Sequence, residues 1–400
     1  MVKRLSGNIV YVSGATNSAI YDFKNQKVYA INDYGTKILN DYFNNCLDNS
    51  SDMNFIDQIK KLFEINELSN DDYIFDPIPK KNLEFVWLEV TQKCQCRCIH
   101  CYEGNVHKEC DNPLSFEEWK SVIDELAIMN CKEIRFIGGE PTIYKRLYQL
   151  IDYAKVKGIE KISLFSNLFN ISDVLLKSII DNDVEVHFSI YASDSKIHDL
   201  ITQVPGSFNN LINNIKLLSK SLIKLTAHVV IIKENENEVD NIYNLLSDLG
   251  INSIKYDEFR KVYGVCNNKH AVTKSRIDNK KPNFKTSKKQ FESNNYRNTC
   301  WYGKCVVSSN GDIFPCEMER NYLYGNIREN NISNIISSNC VDDFWYWDFS
   351  KIDSCNVCEF RFACKDCRPL AYAENGSMKE KNPRCKYDPI KGIWDWTKKQ

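Results

Sequence analysis

The 400-residue sequence lacks any apolar run approaching the roughly 20 residues that cross a bilayer. Its opening stretch, MVKRLSGNIVYVSG, has two early basic residues but no apolar segment long enough for a signal peptide. From these absences neither a membrane anchor nor export is expected, and the expected location is the cytoplasm. A surplus of charge is missing too. The 52 Lys and Arg are balanced by 53 Asp and Glu, a formal net charge of -1. Nothing in that balance draws the whole chain to nucleic acid or to an acidic membrane surface. The 43% hydrophobic and 26% charged fractions are those of a globular protein with a sizeable core.

Cysteine, by contrast, is abundant: there are 17. A reducing cytosol keeps thiols from pairing, so clustered cysteines there argue for metal. Cys94, Cys98 and Cys101 share one short loop, with Cys96 between them, and nine more fall between Cys300 and Cys385. A disulfide framework would need an exported protein. Cys46, Cys96, Cys110, Cys131, Cys266 and Cys340 fit no spacing pattern and are read as small packing residues.

The order of elements is legible. NIVYVSG and SAIYDFKNQKVYAIN read as strands, followed by helices around Gly35–Phe43 and Phe55–Phe63. DPIPKK, Asp76–Lys81, is a Pro-containing break. Strands are expected at Phe85–Val90, Glu133–Ile137, Lys161–Phe165, Val184–Ile190, Leu225–Ile232 and Ile251–Tyr256, with helices between them. The first helix opens with Ser115 and Glu118 at capping-box spacing. The fold class is α/β. Strand–helix alternation implies a parallel sheet with right-handed crossovers, a partial barrel of about six units whose chemistry gathers at the C-terminal strand ends. Residues 263–299 read as a polar connection or flap, and 300–385 as a segment that folds around metal.

Cys94-x3-Cys98-x2-Cys101 directly follows the apolar strand FVWLEV. Three thiolates on one loop hold three irons of a four-iron cubane and leave the fourth iron open. A zinc loop uses similar spacing. The loop CQCRCIHCY, followed after the second strand by Gly138-Gly139-Glu140-Pro141, resembles the radical SAM superfamily. The resemblance implies that the open iron binds S-adenosylmethionine (SAM), which is cleaved to a 5′-deoxyadenosyl radical. It implies that Gly138, Gly139, Glu140 and Pro141 bind the SAM amino group. Ser166, Asn167 and Ser189, at the next two strand ends, would line its ribose and carboxylate side. His100 and Tyr102 flank the last cluster cysteine and would pack near the adenine.

The series Cys300-x4-Cys305-x5-Gly311-x4-Cys316, Cys355-x2-Cys358-x5-Cys364-x2-Cys367 and Cys385 resembles the SPASM extension of such enzymes. It departs from common relatives in having two residues, not three, before Cys367. The resemblance implies two auxiliary 4Fe–4S clusters, one on Cys300, Cys305, Cys316 and Cys367, the other on Cys355, Cys358, Cys364 and Cys385. Zinc remains the alternative, since CxxC pairs also build zinc ribbons. Glu317 stands where some relatives carry an acidic residue that removes a substrate proton.

AIYDFKNQKVYAINDYGTKIL resembles the winged-helix element that binds leader peptides, which would add the leader as a strand on a sheet edge. A plain capping domain is the alternative. The implied domains are a leader-recognition module at 1–80, a radical SAM partial barrel at 81–262, a linker at 263–299 and a SPASM domain at 300–400. The implied activity is maturation of a precursor peptide with a leader, most often by a thioether crosslink. Carbon–carbon crosslinking and sulfatase-type formylglycine formation are alternatives. The implied cofactors are three 4Fe–4S clusters and SAM, and the implied electron donor is a flavodoxin or ferredoxin. A non-catalytic iron–sulfur or zinc protein that binds peptide or senses redox state is the reading outside enzymology.

Overall fold

The computed structural model describes residues 1–47, 50–73, 81–104, 109–262, 268–273, 284, 293–294 and 297–395. The expected break at 76–80, most of the 263–299 connection and Cys266 lie outside the described residues. Contacts divide the chain into two units. One combines Met1–Lys80, Asp278–Tyr302 and Asp343–Gln400; the other combines Lys81–Ile277 and Gly303–Asp342.

The first unit contains an antiparallel sheet ordered β4-β3-β2-β1-β5. Its strands are β1 (Val2–Ser6), β2 (Ile9–Ser13), β3 (Ser18–Asp22), β4 (Lys27–Ile31) and the short β5 (Asp71–Asp72). Two helices follow β4, α1 (Asp33–Phe43) and α2 (Ser50–Phe63). The Asn32 side chain caps α1 by accepting the Gly35 N–H. Side chains alternate across a strand, and here both faces are used. Tyr11 and Ile20 pack with Ile38, Leu39, Phe43 and Ile56 of the helices. Val10, Val12, Ala19 and Tyr21 pack instead on Phe362 and Ala363 of the cysteine-rich segment. The Tyr21 hydroxyl donates to the Glu359 carbonyl at 2.5 Å. The N-terminal strands and the late cysteines therefore share a core within this unit.

The second unit is built on a nine-stranded sheet ordered β11-β10-β9-β8-β7-β6-β12-β13-β14. The first six of its parallel strands are β6 (Phe85–Glu89), β7 (Glu133–Ile137), β8 (Lys161–Ser166), β9 (Glu185–Ser189), β10 (Leu225–Ile231) and β11 (Ile254–Glu258). Helices α3 (Phe116–Ile128), α4 (Leu147–Val156), α5 (Asp173–Asp181), α6 (Ser195–Thr202), α7 (Ser207–Leu218) and α8 (Val239–Asp248) alternate with them. The capping box at Ser115 and Glu118 is formed. The last parallel strand lies three residues beyond its expected start. Gly250, at φ +77, turns the chain out of α8, and Ile251 drops into the core. The Ser253 carbonyl then accepts the Ala227 N–H, so pairing begins at Ile254.

Regular structure also appears where little was expected. β12 (Lys304–Val307) joins the sheet parallel to β6, with Cys305 opposite Val86. β13 (Asp312–Phe314) and β14 (Gly325–Asn326) extend it antiparallel. Part of the second cysteine field is thus sheet.

Candidate functional site

The loop after β6 carries Cys94, Cys98 and Cys101, all partly exposed and none in a disulfide. Its backbone is pinned on both sides. Arg97 N–H donates to the Thr202 carbonyl at 2.9 Å and Ile99 N–H to that of Ile201 at 3.0 Å, so the end of α6 anchors it. On the other side Gly139 N–H donates to the Thr91 carbonyl and Glu140 N–H to that of Lys93.

This second contact explains the paired glycines. A Cβ on Gly138 would meet the Thr91 carbonyl oxygen at 2.4 Å, and one on Gly139 that of Gln92 at 2.4 Å. Close backbone approach of the two loops demands both glycines. Glu140 is 1% exposed and turns inward. Its carboxylate accepts the Ser166 hydroxyl at 2.7 Å, the Asn167 N–H at 2.7 Å, and the N–H and hydroxyl of Thr142. Burial pushes this carboxyl upward, and the four donors oppose that. GGEP therefore clamps three strand-end loops to one another. Ser166 is spent in the same clamp: it donates to Glu140 and accepts the Leu168 N–H.

Asn167 points toward the cysteines. Its amide donates to Cys94 Sγ at 3.9 Å and to Cys96 Sγ at 3.5 Å, and its Oδ1 accepts the Gln95 amide at 3.0 Å. Cys96 is buried, unlike the three patterned cysteines. The His100 ring meets the Tyr191 ring at 4.6 Å, and its buried Nδ1 has no partner. Burial lowers this imidazole to about 4. Ser189, at the end of β9, is partly exposed and lies beside the Tyr191 hydroxyl.

A polar group that sequence reasoning missed lies on one face of the same sheet. Glu89 ends β6 with its side chain 3% exposed and binds Arg320 at 2.6 Å, which also reaches Glu103 at 3.2 Å. Burial, partly offset by Arg320, raises Glu89 to about 7. Arg135 of β7 contacts Ser163 and His187, and His187 Nδ1 lies 3.0 Å from His228 Nε2. Glu317 sits in the field of Arg135, Arg320 and Arg260, and its buried Oε2 has no partner. Burial raises its carboxyl, and the three guanidiniums pull it back. Tyr102 lies in the same field. The one signal for Glu89 was a carboxylate inside an otherwise apolar strand, FVWLEV.

The auxiliary cysteines divide between the units. Cys305 and Cys316 are buried in the second unit, Cys305 wholly so. Cys300 and Cys367 belong to the first unit. Cys355, Cys358, Cys364 and Cys385, all in the first unit, line one pocket together with Arg361 and Lys381. Burial pushes the Cys355 thiol up to about 12, so an isolated thiolate is disfavoured there. Four thiols lining one space fit a cluster that takes thiolate ligands. At the first loop three partly exposed thiols and an orphaned imidazole nitrogen fit a cluster with one open iron. Among the described residues no three His, Cys, Asp or Glu side chains converge on the position of a single metal ion.

The radical SAM superfamily matches residues 88–246, and the SPASM iron–sulfur cluster-binding domain matches residues 300–368. An AdoMet-dependent heme synthase from Methanosarcina barkeri (strain Fusaro / DSM 804) is 24% identical over 344 residues, 76% of this chain and 96% of that protein. Two solved structures are similar in fold. The anSMEcpe structure with bound AdoMet and Cp18Cys peptide gives a TM-score of 0.60 at 18% identity, over 75% of this chain and 93% of that one. Streptococcus suis SuiB bound to its precursor peptide SuiA gives 0.61 at 14% identity, over 96% and 100%.

Proposed function

This chain is a radical SAM enzyme with a SPASM iron–sulfur domain, and from that footing we propose that it matures a precursor peptide, forming a thioether crosslink. Cys94, Cys98 and Cys101 would hold the SAM-ligating cluster, which would supply the one-electron reduction of SAM and with it the radical chemistry that activates a peptide C–H bond. Cys355, Cys358, Cys364 and Cys385 would hold an auxiliary cluster.

The chain's own residues divide the remaining work. Glu140 fixes the loops around the cysteines. Asn167 orients Cys94 and faces the cofactor side. Glu317, with a free buried oxygen, accepts the substrate proton, and the three guanidiniums around it stabilise the charged form. The edge strand β4 takes the leader by strand addition.

The observation that supports a peptide substrate most is the extent of the SuiB likeness, which takes in 96% of this chain, N-terminal unit included. A second reading, action on a tetrapyrrole, is favoured by the heme synthase relative, whose match covers 76% of the chain.

The test is anaerobic reconstitution followed by incubation with dithionite, SAM and either a Cys-containing precursor peptide or an iron porphyrin. The peptide reading expects 5′-deoxyadenosine, about twelve irons per chain, and a peptide product 2 Da lighter. Replacing Cys94, Cys98 and Cys101 by alanine removes about four irons and all 5′-deoxyadenosine. Turnover surviving that replacement, or a modified porphyrin with the peptide untouched, overturns the proposal.

A further inference from the structure

The four-cysteine pocket of the first unit has an electrostatic feature that ligation alone does not require. Among the described residues the charged side chains that line it, Arg361 and Lys381, are both cations, and no carboxylate lines it. Arg361 is 5% exposed. Its Nη1 donates to the Asn356 carbonyl at 2.8 Å, its Nη2 stands 3.9 Å from Asp348, and its buried Nε has no partner. Lys381 Nζ donates to the Tyr387 carbonyl at 2.8 Å. Of the nearby carboxylates, Asp348 faces Arg361, Asp366 binds Arg368, and Glu359 accepts the Tyr387 hydroxyl at 2.6 Å through one oxygen while its other oxygen is buried without a partner.

Burying a guanidinium is costly, Asp348 at 3.9 Å offsets part of that cost, and an anionic occupant of the pocket would offset more. A four-iron core with four thiolate ligands is such an occupant, and it becomes more negative by one charge on reduction. Cations beside it in a low-dielectric setting favour the reduced form and raise the potential.

We infer that Arg361 and Lys381 set the reduction potential of the cluster that Cys355, Cys358, Cys364 and Cys385 would hold, raising it above the value the thiolates alone would give. The inference rests on the radical SAM and SPASM reading above. Arg361 and Lys381 line the pocket and act through their charge.

The experiment is an EPR-monitored redox titration of the anaerobically reconstituted full chain, with iron counted in each sample. Wild type, R361Q, R361K and K381Q are compared. The expected result is about twelve irons and one cluster signal that moves to lower potential in R361Q. The shift expected is about 59 mV, a tenfold change in a one-electron equilibrium. K381Q moves the same signal the same way, and R361K, which keeps the charge, restores most of the wild-type value. If R361Q loses iron through misfolding, K381Q decides the matter. Full iron with every potential unmoved in K381Q and in any loaded R361Q overturns this inference and leaves the cluster assignment standing. A wild type that never takes up a third cluster overturns the cluster assignment itself, and this inference with it.

Discussion

Glu140 makes four hydrogen bonds to three residues that stand on two different loops. Its removal leaves the Ser166 hydroxyl and two backbone N–H groups without acceptors, each at about 1–3 kcal/mol. E140A should therefore unfold more easily by at least about 3 kcal/mol, read by urea denaturation. It should also bind less iron at the first loop. G139A should show the same double loss, because the added Cβ runs into backbone oxygens of Gln92 and Lys93. Glu317 belongs to a different class. E317Q keeps the shape and removes the base. It should lower peptide product at least about 100-fold while 5′-deoxyadenosine continues to form, as chromatography of both products would show. Equal loss of both would take Glu317 out of the proton-transfer step.

Strands β9 and β10 and helix α6 carry three imidazoles with one shared pH consequence. Burial lowers His198 and His228 each to about 4; burial, with Arg135 and His228 beside it, lowers His187 to about 2. Unfolded histidines take up their proton near pH 6.5. Between about 6.5 and 4 the unfolded chain therefore holds more protons than the folded one. The stability these groups contribute is complete above pH 6.5 and is lost as pH falls, at about 1.4 kcal/mol per pH unit for each. H228N should flatten that slope between pH 7 and pH 5 in urea melts. An unchanged slope would mean that His228 is protonated in the fold. The same elements organise the site, since α6 anchors the cysteine loop through the Ile201 and Thr202 carbonyls.

At the scale of the whole molecule, the N-terminal strands serve two neighbours within one unit. One face carries α1 and α2, and the other packs on Phe362 and Ala363, close to Cys364. Among the described residues β4 pairs only with β3 and is an edge strand. Of two adjacent residues in a strand, one N–H points to the open edge. Proline placed in turn at Val28 and Tyr29 should therefore include one variant that weakens leader binding at least tenfold by fluorescence anisotropy, with 5′-deoxyadenosine formation in the absence of peptide retained. Binding unaffected in both variants would return the module to the role of a cap.

By itself the sequence determined the chemistry and the order of elements. Thiol spacing is a local property, and so are strand alternation and the capping box at Ser115, because each is written within a few consecutive residues. Five of the six parallel strands fall where the apolar pattern put them, and the GGEP segment lies at a strand end. Tertiary structure decided what depends on contacts distant in sequence. It made Gly138, Gly139 and Glu140 a clamp between loops, paired Glu89 with Arg320 across 231 positions, and inserted β12 beside β6. It gathered Cys355, Cys358, Cys364 and Cys385 around a pocket whose charged walls are both cationic. No local pattern encodes which distant backbone a glycine must admit or which charge will face a buried thiol. Those follow from packing the whole chain at once.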